Sequence, residues 1–279
     1  MENMRKVQVV AGGTSGMGLE TAKALGKYGP VLVGGRNEAR LENALNELKE
    51  AGVEAYGMRC DVSDKESLKK FSEYAASLGK IGNVINAAGV DFDAASPEMI
   101  VNINMLGTHY VTEAFLPYLD DSTMIHFSSI TGYFYQATDA DKEVWNNPDV
   151  EDFCEKTLAL LPELTDPRAA HLGPSYMAYT CSKRFVMYYT MANVVRVAQK
   201  NKSRIISIAP GSFDTPMLAG QAAYMDSIAQ GTALKRVGQP EEMANLIANL
   251  VAPGQEYLTG CDIVMDGGKL ALTTVKQMM

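Results

Sequence analysis

The short apolar run Val7 to Ala11 passes directly into Gly12-Gly13-Thr14-Ser15-Gly16-Met17-Gly18, and a helical pattern follows through Leu25. An uninterrupted apolar run reads as a buried parallel strand. Glycines between a strand and a helix permit a tight turn and a close backbone approach to a ligand. The helix N-terminus behind them presents free N–H groups to a pyrophosphate. Gly12, Thr14, Ser15, Gly16, Met17 and Gly18 are therefore candidate cofactor contacts. The competing reading is an ordinary glycine turn. Its position first in the chain, between a strand and a helix, is the context a dinucleotide turn requires.

Strand and helix patterns alternate from there. A strand over Val31 to Val33 ends at Gly34-Gly35-Arg36-Asn37. No acid stands there to hold the ribose 2′-hydroxyl of NAD, and Arg36 offers a fork of donors suited to a 2′-phosphate. NADP(H) is expected over NAD(H). Asn37 caps a helix whose Leu41, Leu45 and Leu48 form one stripe and which Gly52 ends. A third strand leads to Cys60-Asp61-Val62, and Ser63 with Glu66 reads as a capping box for the next helix. A fourth, at Val84 and Ile85, ends at Asn86-Ala87-Ala88-Gly89; a helix from about Pro97 to Leu119 carries Asn104. A fifth, Met124 to Phe127, ends at Ser128-Ser129, and further strands fall at Ile205 to Ile208 and Ile263 to Met265. The alternation specifies a parallel sheet covered on both faces, which binds ligands beyond the carboxyl ends of its strands. Gly12, Arg36, Asp61, Asn86 and Ser129 all fall there.

Composition narrows the partners. A net charge of −8 disfavours nucleic acid and anionic membranes. No apolar run is long enough to span a bilayer, and the N-terminus lacks the layout of a signal peptide. Four scattered cysteines without a C-x-x-C pair suit reduced thiols in the cytoplasm. Three scattered histidines have no metal-ligand spacing, and no metal site is expected.

Tyr179 and Lys183 stand four residues apart, on one face of a helix. A phenol with a pKa near ~10 is a poor base at neutral pH, and an adjacent ammonium favours the phenolate. Taken alone, the pair is better read as part of an amphipathic helix with packed tyrosines and a solvated lysine. Tyr176 competes as the base, but the residue four beyond it is Thr180.

With these motifs in order, the chain resembles the short-chain dehydrogenase/reductase family from end to end. Gly12, Gly16 and Gly18 match the family's cofactor glycines, Asp61-Val62 its adenine-contact pair, and Asn86-Ala87-Ala88-Gly89 its N-N-A-G stretch. Asn104, Ser129, Tyr179 and Lys183 match its catalytic tetrad. Pro210, Gly211, Phe213 and Thr215 resemble its nicotinamide-side loop, and Asp266-Gly267-Gly268 the ending of its last strand. Ala11 and Ala87 depart from the family's usual Thr and Asn. The resemblance implies a Rossmann-like doubly wound sheet in a single domain over residues 1–279. It also implies an NADP(H)-dependent oxidoreductase that interconverts a secondary alcohol and a ketone. Tyr179 would move the proton and Ser129 would hold the substrate oxygen. Lys183 would lower the phenol pKa and hold the nicotinamide ribose, and Asn104 would position a water. A homotetramer or homodimer built on the long helices around Asn104 and Tyr179 is implied as well.

The widest departure is the long segment between Ser129 and Tyr179. Its extra part, about residues 133–173, is acidic and carries Tyr133, Phe134, Tyr135, Trp145 and Phe153. Residues Val150 to Leu161 read as a short amphipathic helix, broken after by Pro162 and Pro167. Because both ends are tied to catalytic residues, the insert is expected near the active-site mouth, as a wall for a sizeable apolar substrate. An added surface element is the alternative. Met217, Leu218, Tyr224 and Met225 are further pocket candidates. An insert of this kind resembles that of some bacterial hydroxysteroid dehydrogenase/carbonyl reductases and suits a hydroxysteroid or bile acid. A carbonyl reductase for a smaller ketone or quinone, and a non-catalytic NADP(H)-binding regulator, are the alternatives.

Overall fold

The computed structural model describes residues 6–162, 172–216 and 222–278. Seven strands, β1 (Val7–Ala11), β2 (Val31–Gly35), β3 (Ala55–Arg59), β4 (Ile81–Asn86), β5 (Thr123–Phe127), β6 (Arg204–Pro210) and β7 (Asp262–Met265), form one sheet. All pairings are parallel, in the order β3-β2-β1-β4-β5-β6-β7. The chain winds outward from β1 to β3, then returns to lay β4 on the other side of β1. That reversal opens a crevice at the strands' carboxyl ends.

Helices cover both faces. They are α1 (Gly16–Leu25), α2 (Glu38–Glu50), α3 (Lys65–Leu78), α4 (Pro97–Ile100), α5 (Gly107–Phe115), α6 (Asp139–Trp145), α7 (Phe153–Ala159), α8 (Gly173–Ala192), α9 (Val194–Ala198), α10 (Ala222–Gln230), α11 (Pro240–Leu250) and α12 (Lys269–Met278). Side chains alternate across a strand, so neighbours in β1 serve different cores. Val9 packs with Leu68, Phe71 and Phe115, whereas Val10 packs with Leu25, Ile206 and Ile247. The apolar runs of β1, β5 and β6 are wholly buried.

Three local expectations change. Asn37 caps α2 through the Arg40 N–H, as its position suggests. The cap of α3, however, is Asp64, which accepts from the N–H groups of Glu66 and Ser67; Ser63 instead turns its hydroxyl to Asp61 Oδ1 at 2.7 Å. Three acceptors crowd this turn, and the carboxylate one residue later reaches the helix end. The expected helix from Pro97 to Leu119 is interrupted by a π-helical stretch, Val101–Leu106, between α4 and α5. The cause is Asn104 at its centre, whose side chain is bound to the backbone of Val90.

The third change concerns the insert. The expected helix over Val150 to Leu161 is the shorter α7, and α6, opened by a Thr138/Asp141 capping box, precedes it. Trp145 and Phe153 are buried against Val101, Met105, Phe185 and Tyr189. Phe185 and Tyr189 lie six and ten residues after Tyr179. At 100° per residue that puts Phe185 about 120° and Tyr189 about 80° around α8 from Tyr179, and Tyr188, which also meets Trp145, about 180° from it. The described part of the insert therefore buttresses the outer face of the helix that carries the tyrosine. The remainder, including Glu163, Asp166, Pro167, Arg168 and His171, lies outside the described residues, as do Met217, Leu218 and the side chain of Tyr224.

Candidate active site

The crevice beside β1 holds a cleft of about 410 Å³. Its floor is the glycine turn, where the backbone leaves no room for side chains. A Cβ on Gly12, whose φ is +82°, would lie 2.5 Å from Ala88 N, and one on Gly18 would lie 2.1 Å from Gly12 O. These are clashes with backbone, which cannot swing aside. Thr14, Ser15, Gly16 and Met17 continue the floor, and Thr215 and Pro216 close over it from the loop after β6. Asp61, Val62, Ala87 and Gly89 form the walls. Those twelve of the sequence-derived contacts, counting Arg36, line the cleft together.

The other candidates sit elsewhere. Asn86 is buried beneath the cleft, with Nδ2 3.4 Å from Thr108 Oγ1. Pro210 is the buried end of β6, and Gly211 packs on the backbone of Asp266. Phe213 turns its ring into the core over Gly238, so its side chain is not a cleft wall.

Sequence reasoning missed Arg40, Cys60, Ala88, Ile103 and Phe127, all of which line the cleft. Arg40 had a signal: it follows Arg36 by four residues, and Asn37 between them caps the helix that carries it. Arg36 and Arg40 both line the cleft beyond the β2 terminus, and a guanidinium group is of a kind suited to phosphate. A side-chain-free glycine turn ahead of a helix N-terminus fits a dinucleotide. Cys60 is no nucleophile, because burial pushes its thiol up to about 12.

Tyr179 and Lys183, brought in by α8, and Ser129, which follows β5, are not among the residues lining the cleft but lie next to Phe127 and Gly89, which are. Lys183 is buried, donates to the carbonyl of Phe127 at 3.1 Å, and sits 5.6 Å from the centre of the Tyr179 ring. Burial lowers its pKa to about 8, and the nearby Asp91 carboxylate opposes that shift. The Tyr179 phenol is pushed up, first by burial and then by Asp91. A hydrogen bond with the Ser129 side chain pulls the other way. In this geometry the phenol is moderated by Ser129 rather than by the Lys183 ammonium that the spacing had suggested. Thr131 donates to Ser129 Oγ from both its N–H, at 3.3 Å, and its hydroxyl, at 3.1 Å. With its acceptor sites engaged, the Ser129 hydroxyl is left to donate outward.

Asn104 reaches the same point from the π-helical stretch. Its Nδ2 donates to Ser182 Oγ at 3.2 Å, and a Cβ built on Gly89 would be 3.2 Å from Asn104 Oδ1 and 3.6 Å from Lys183 Nζ. The two groups thus face one small space, close enough for a single water to touch both. The loop after Gly89 adds Asp91, half-buried, and Phe92, whose ring meets Tyr176 at 5.2 Å and Tyr179 at 5.6 Å. Among the described residues no group of three His, Cys, Asp or Glu could hold a metal, and no helix is long and apolar enough to cross a membrane. The four cysteines are free thiols.

Comparison with known proteins agrees with this geometry. The family model described as short chain dehydrogenase matches residues 6–139, and that described as enoyl-(acyl carrier protein) reductase matches residues 164–269. The short-chain dehydrogenase/reductase bsc3 of Alternaria brassicicola is 29% identical over 96% of this chain and 97% of its own. A cis-4-hydroxycyclohexanecarboxylate dehydrogenase of Sinomonas cyclohexanicum is 24% identical over 96% and 97%. Among solved structures, an actinorhodin polyketide ketoreductase variant with NADPH is similar at a TM-score of 0.73, with 25% identity, over 95% of this chain and 97% of that one.

Proposed function

The chain belongs to the short-chain dehydrogenase/reductase family, and from that premise we propose that it is an NADP(H)-dependent oxidoreductase interconverting a secondary alcohol and a ketone. One observation carries the reading: Ser129, Tyr179, Lys183 and Asn104 converge beside Gly89 and Phe127, which line the cleft together with Arg36 and Arg40. A regulator that only bound the dinucleotide would have no use for the first group.

The cofactor, when bound, supplies or accepts the hydride. Everything else falls to the protein. The glycine turn and the N-terminus of α1 receive the pyrophosphate. Arg36 and Arg40 bind the 2′-phosphate with charge-assisted hydrogen bonds, which favours NADP(H) over NAD(H). Ser129 donates to the substrate oxygen and stabilises charge as it develops there. Tyr179 takes the alcohol proton in oxidation and returns it in reduction. Lys183 holds the nicotinamide ribose and balances charge beside the phenol. Asn104 fixes a water in contact with Lys183.

We place hydroxysteroids and bile acids first as substrates, because Phe92 and Tyr176 give the mouth beside Tyr179 an aromatic wall. A smaller ketone or quinone is the second reading. It is favoured by the described part of the insert lying across α8 from the catalytic pair. Assembly into a cytoplasmic homodimer or homotetramer belongs to the same reading, and light scattering of the purified chain tests it.

The deciding experiment follows NADP⁺ reduction by absorbance across hydroxysteroids, bile acids and small secondary alcohols, with NAD⁺ in parallel. Turnover of steroids with NADP⁺ supports the first reading, and turnover of small alcohols alone supports the second. Tight NADPH binding with no turnover in either direction would leave the regulator.

A further inference from the structure

One carboxylate on the edge of the sheet clasps the chain on both sides of Ser129. Asp262 opens β7, the edge strand, and Ser207 of β6 is its register partner. Ser128 Oγ donates to Asp262 Oδ1 at 2.6 Å, and Ser207 Oγ donates to the same oxygen at 2.5 Å. Tyr133 Oη donates to Asp262 Oδ2 at 2.8 Å. Ser128 stands immediately before Ser129, and Tyr133 comes shortly after it. The Ser128 N–H still bonds the Ile208 carbonyl of β6 at 2.8 Å. From Ser129 the chain leaves the sheet and enters a 3-10 turn, Ile130–Phe134, which Ser129 caps. That turn lies directly on α8: a Cβ on Gly132 would be 2.8 Å from backbone atoms of both Lys183 and Arg184. Contact with α8 fixes the turn on one side, and the bonds to Asp262 fix its two ends.

A carboxylate bound by three hydroxyls is a costly way to join strands, because its desolvation must be offset by good geometry. Elsewhere β5 and β6 meet their surroundings through Ile125, Ile206 and Ile208, all fully buried in an apolar core. What a charged acceptor adds is direction, since its hydrogen bonds are short and about twice as strong as neutral ones. The atom here that needs direction is Ser129 Oγ. It is hydrogen-bonded to Tyr179 and is left to donate to the substrate oxygen. A misplacement of about 1 Å in such a group costs about a hundredfold in rate. Thr131, which donates twice to Ser129 Oγ, lies inside the same clasp.

We propose that Asp262 is a positioning residue for the reaction: by binding Ser128 and Tyr133 it aims the Ser129 hydroxyl at the substrate oxygen and at Tyr179. The proposal rests on the dehydrogenase reading above. Asp262 acts only through Ser129. Each of its three partners has a single hydroxyl proton and gives it to the carboxylate, so both carboxylate oxygens are acceptors. Burial, and then the Asp262 charge, push the Tyr133 phenol well above its ordinary value, and near pH 7 it remains a donor. Tyr133, the first aromatic residue of the insert, is thereby an anchor for the turn that carries the catalytic serine.

Steady-state rates of alcohol oxidation across a range of pH test this in the full chain, with Asp262→Ala and Tyr133→Phe beside wild type. kcat should fall by about tenfold or more in Asp262→Ala and by about threefold or more in Tyr133→Phe, while NADPH affinity stays within about twofold. The Ser129 hydrogen bond lowers the Tyr179 pKa, so loosening it raises that pKa. The pH profile of kcat/KM should therefore move to higher pH in both variants. A lost structural contact would lower the melting temperature and leave the profile in place. A double-mutant cycle gives the second readout. In a Ser129→Ala background, Asp262→Ala should lower the residual kcat by less than about twofold, because the group it aims is gone. Tyr133→Phe removes one oxygen from a half-buried ring and keeps the test decisive should Asp262→Ala not fold. An unmoved pH profile in variants that bind NADPH, or losses that multiply in the double variant, overturn the proposal. A wild-type chain that binds NADPH but converts no alcohol or ketone overturns the dehydrogenase reading, and this proposal with it.

Discussion

Asn104 holds Val90 at both of its backbone groups: Oδ1 accepts the Val90 N–H at 2.9 Å and Nδ2 donates to the Val90 carbonyl at 3.0 Å. An asparagine amide mimics a strand neighbour here, and the helix widens to a π turn to let it reach. The loop behind Val90 is thereby fixed, and with it Asp91 and the Phe92 ring beside Tyr179. Asn104→Ala leaves two part-buried backbone groups without partners, at a cost of about 1–3 kcal/mol in stability. Turnover should fall by about tenfold or more, because the water shared with Lys183 is lost as well. Denaturant unfolding and kcat measure the two effects. Affinity for NADPH should change little, since the cleft floor does not involve Asn104.

Under the proposed mechanism, Asp91 should shift the working pH. It acts on both members of the catalytic pair, raising the pKa of Lys183 and that of Tyr179. Asp91→Asn removes the negative charge, so both pKa values fall. The two groups are adjacent, so the pH profile of kcat/KM for alcohol oxidation reports them as a pair. The profile should move to lower pH. Stability carries a matching sign. Lys183 titrates at about 8 in the fold against 10.5 ordinarily, so below about 8 its buried charge opposes folding. Between those values the unfolded chain binds the extra proton, and this group's contribution rises with pH. A pH–rate profile unmoved by Asp91→Asn would remove Asp91 from the mechanism.

Arg36 and Arg40 should divide the recognition of the 2′-phosphate. A hydrogen bond to a charged group is worth roughly 1.5–3 kcal/mol, so each alanine substitution should weaken NADPH binding by about tenfold or more. Binding of NADH, which lacks that phosphate, should change by less than about threefold in either variant. Fluorescence titration gives all four dissociation constants. Equal losses for the two nucleotides would place the guanidinium groups elsewhere on the cofactor.

The glycine turn allows a sharper test. Gly18→Ala puts a methyl 2.1 Å from Gly12 O, where only backbone movement relieves the clash. The turn beneath the pyrophosphate must then open, and NADPH affinity should fall by about a hundredfold. Gly52→Ala is the comparison: its Cβ would meet nothing within 4 Å, although its φ of +73° carries a backbone penalty. That variant should lose about 1 kcal/mol of stability and keep its affinity. Calorimetric titration separates the two.

The alternation of Val7–Ala11, Val31–Val33 and their successors with amphipathic helices sufficed to specify a parallel sheet, because local periodicity and burial demand the same thing there. The cleft was legible for a related reason: every strand end carried a glycine, an arginine, an aspartate or a serine, and topology brings strand ends together. Features set by tertiary contact were not legible. Nothing in the run from Val101 to Leu106 announces a π turn, since its cause is the backbone of Val90, a segment distant in sequence. The Ser63/Glu66 pattern looked like a cap until Asp61 claimed the serine hydroxyl. Placement of the insert depends on which face of α8 has aromatic partners for Trp145. Phe185 and Tyr188 supply them on the side away from Tyr179.

That placement gives the insert a role that can be measured. Trp145 is buried, with its ring edge-on to Phe185 at 5.8 Å. Around it Tyr135 binds Asp141 at 2.9 Å, Tyr188 binds Asn146 at 2.8 Å, and Asp149 pairs with Lys65 at 2.9 Å. The last pair is exposed and contributes little, so the aromatic core dominates. Trp145→Ala leaves a cavity that costs about 3–5 kcal/mol. The loss should appear as a lower melting temperature. If the insert acts as a buttress for α8, KM for the preferred alcohol should stay within about threefold of wild type wherever the variant remains folded. If it acts as a substrate wall, KM should rise by about tenfold or more under the same conditions, and a larger substrate should suffer more than a small one. The geometry of α8, with Trp145 and Tyr179 on opposite sides, predicts the first outcome.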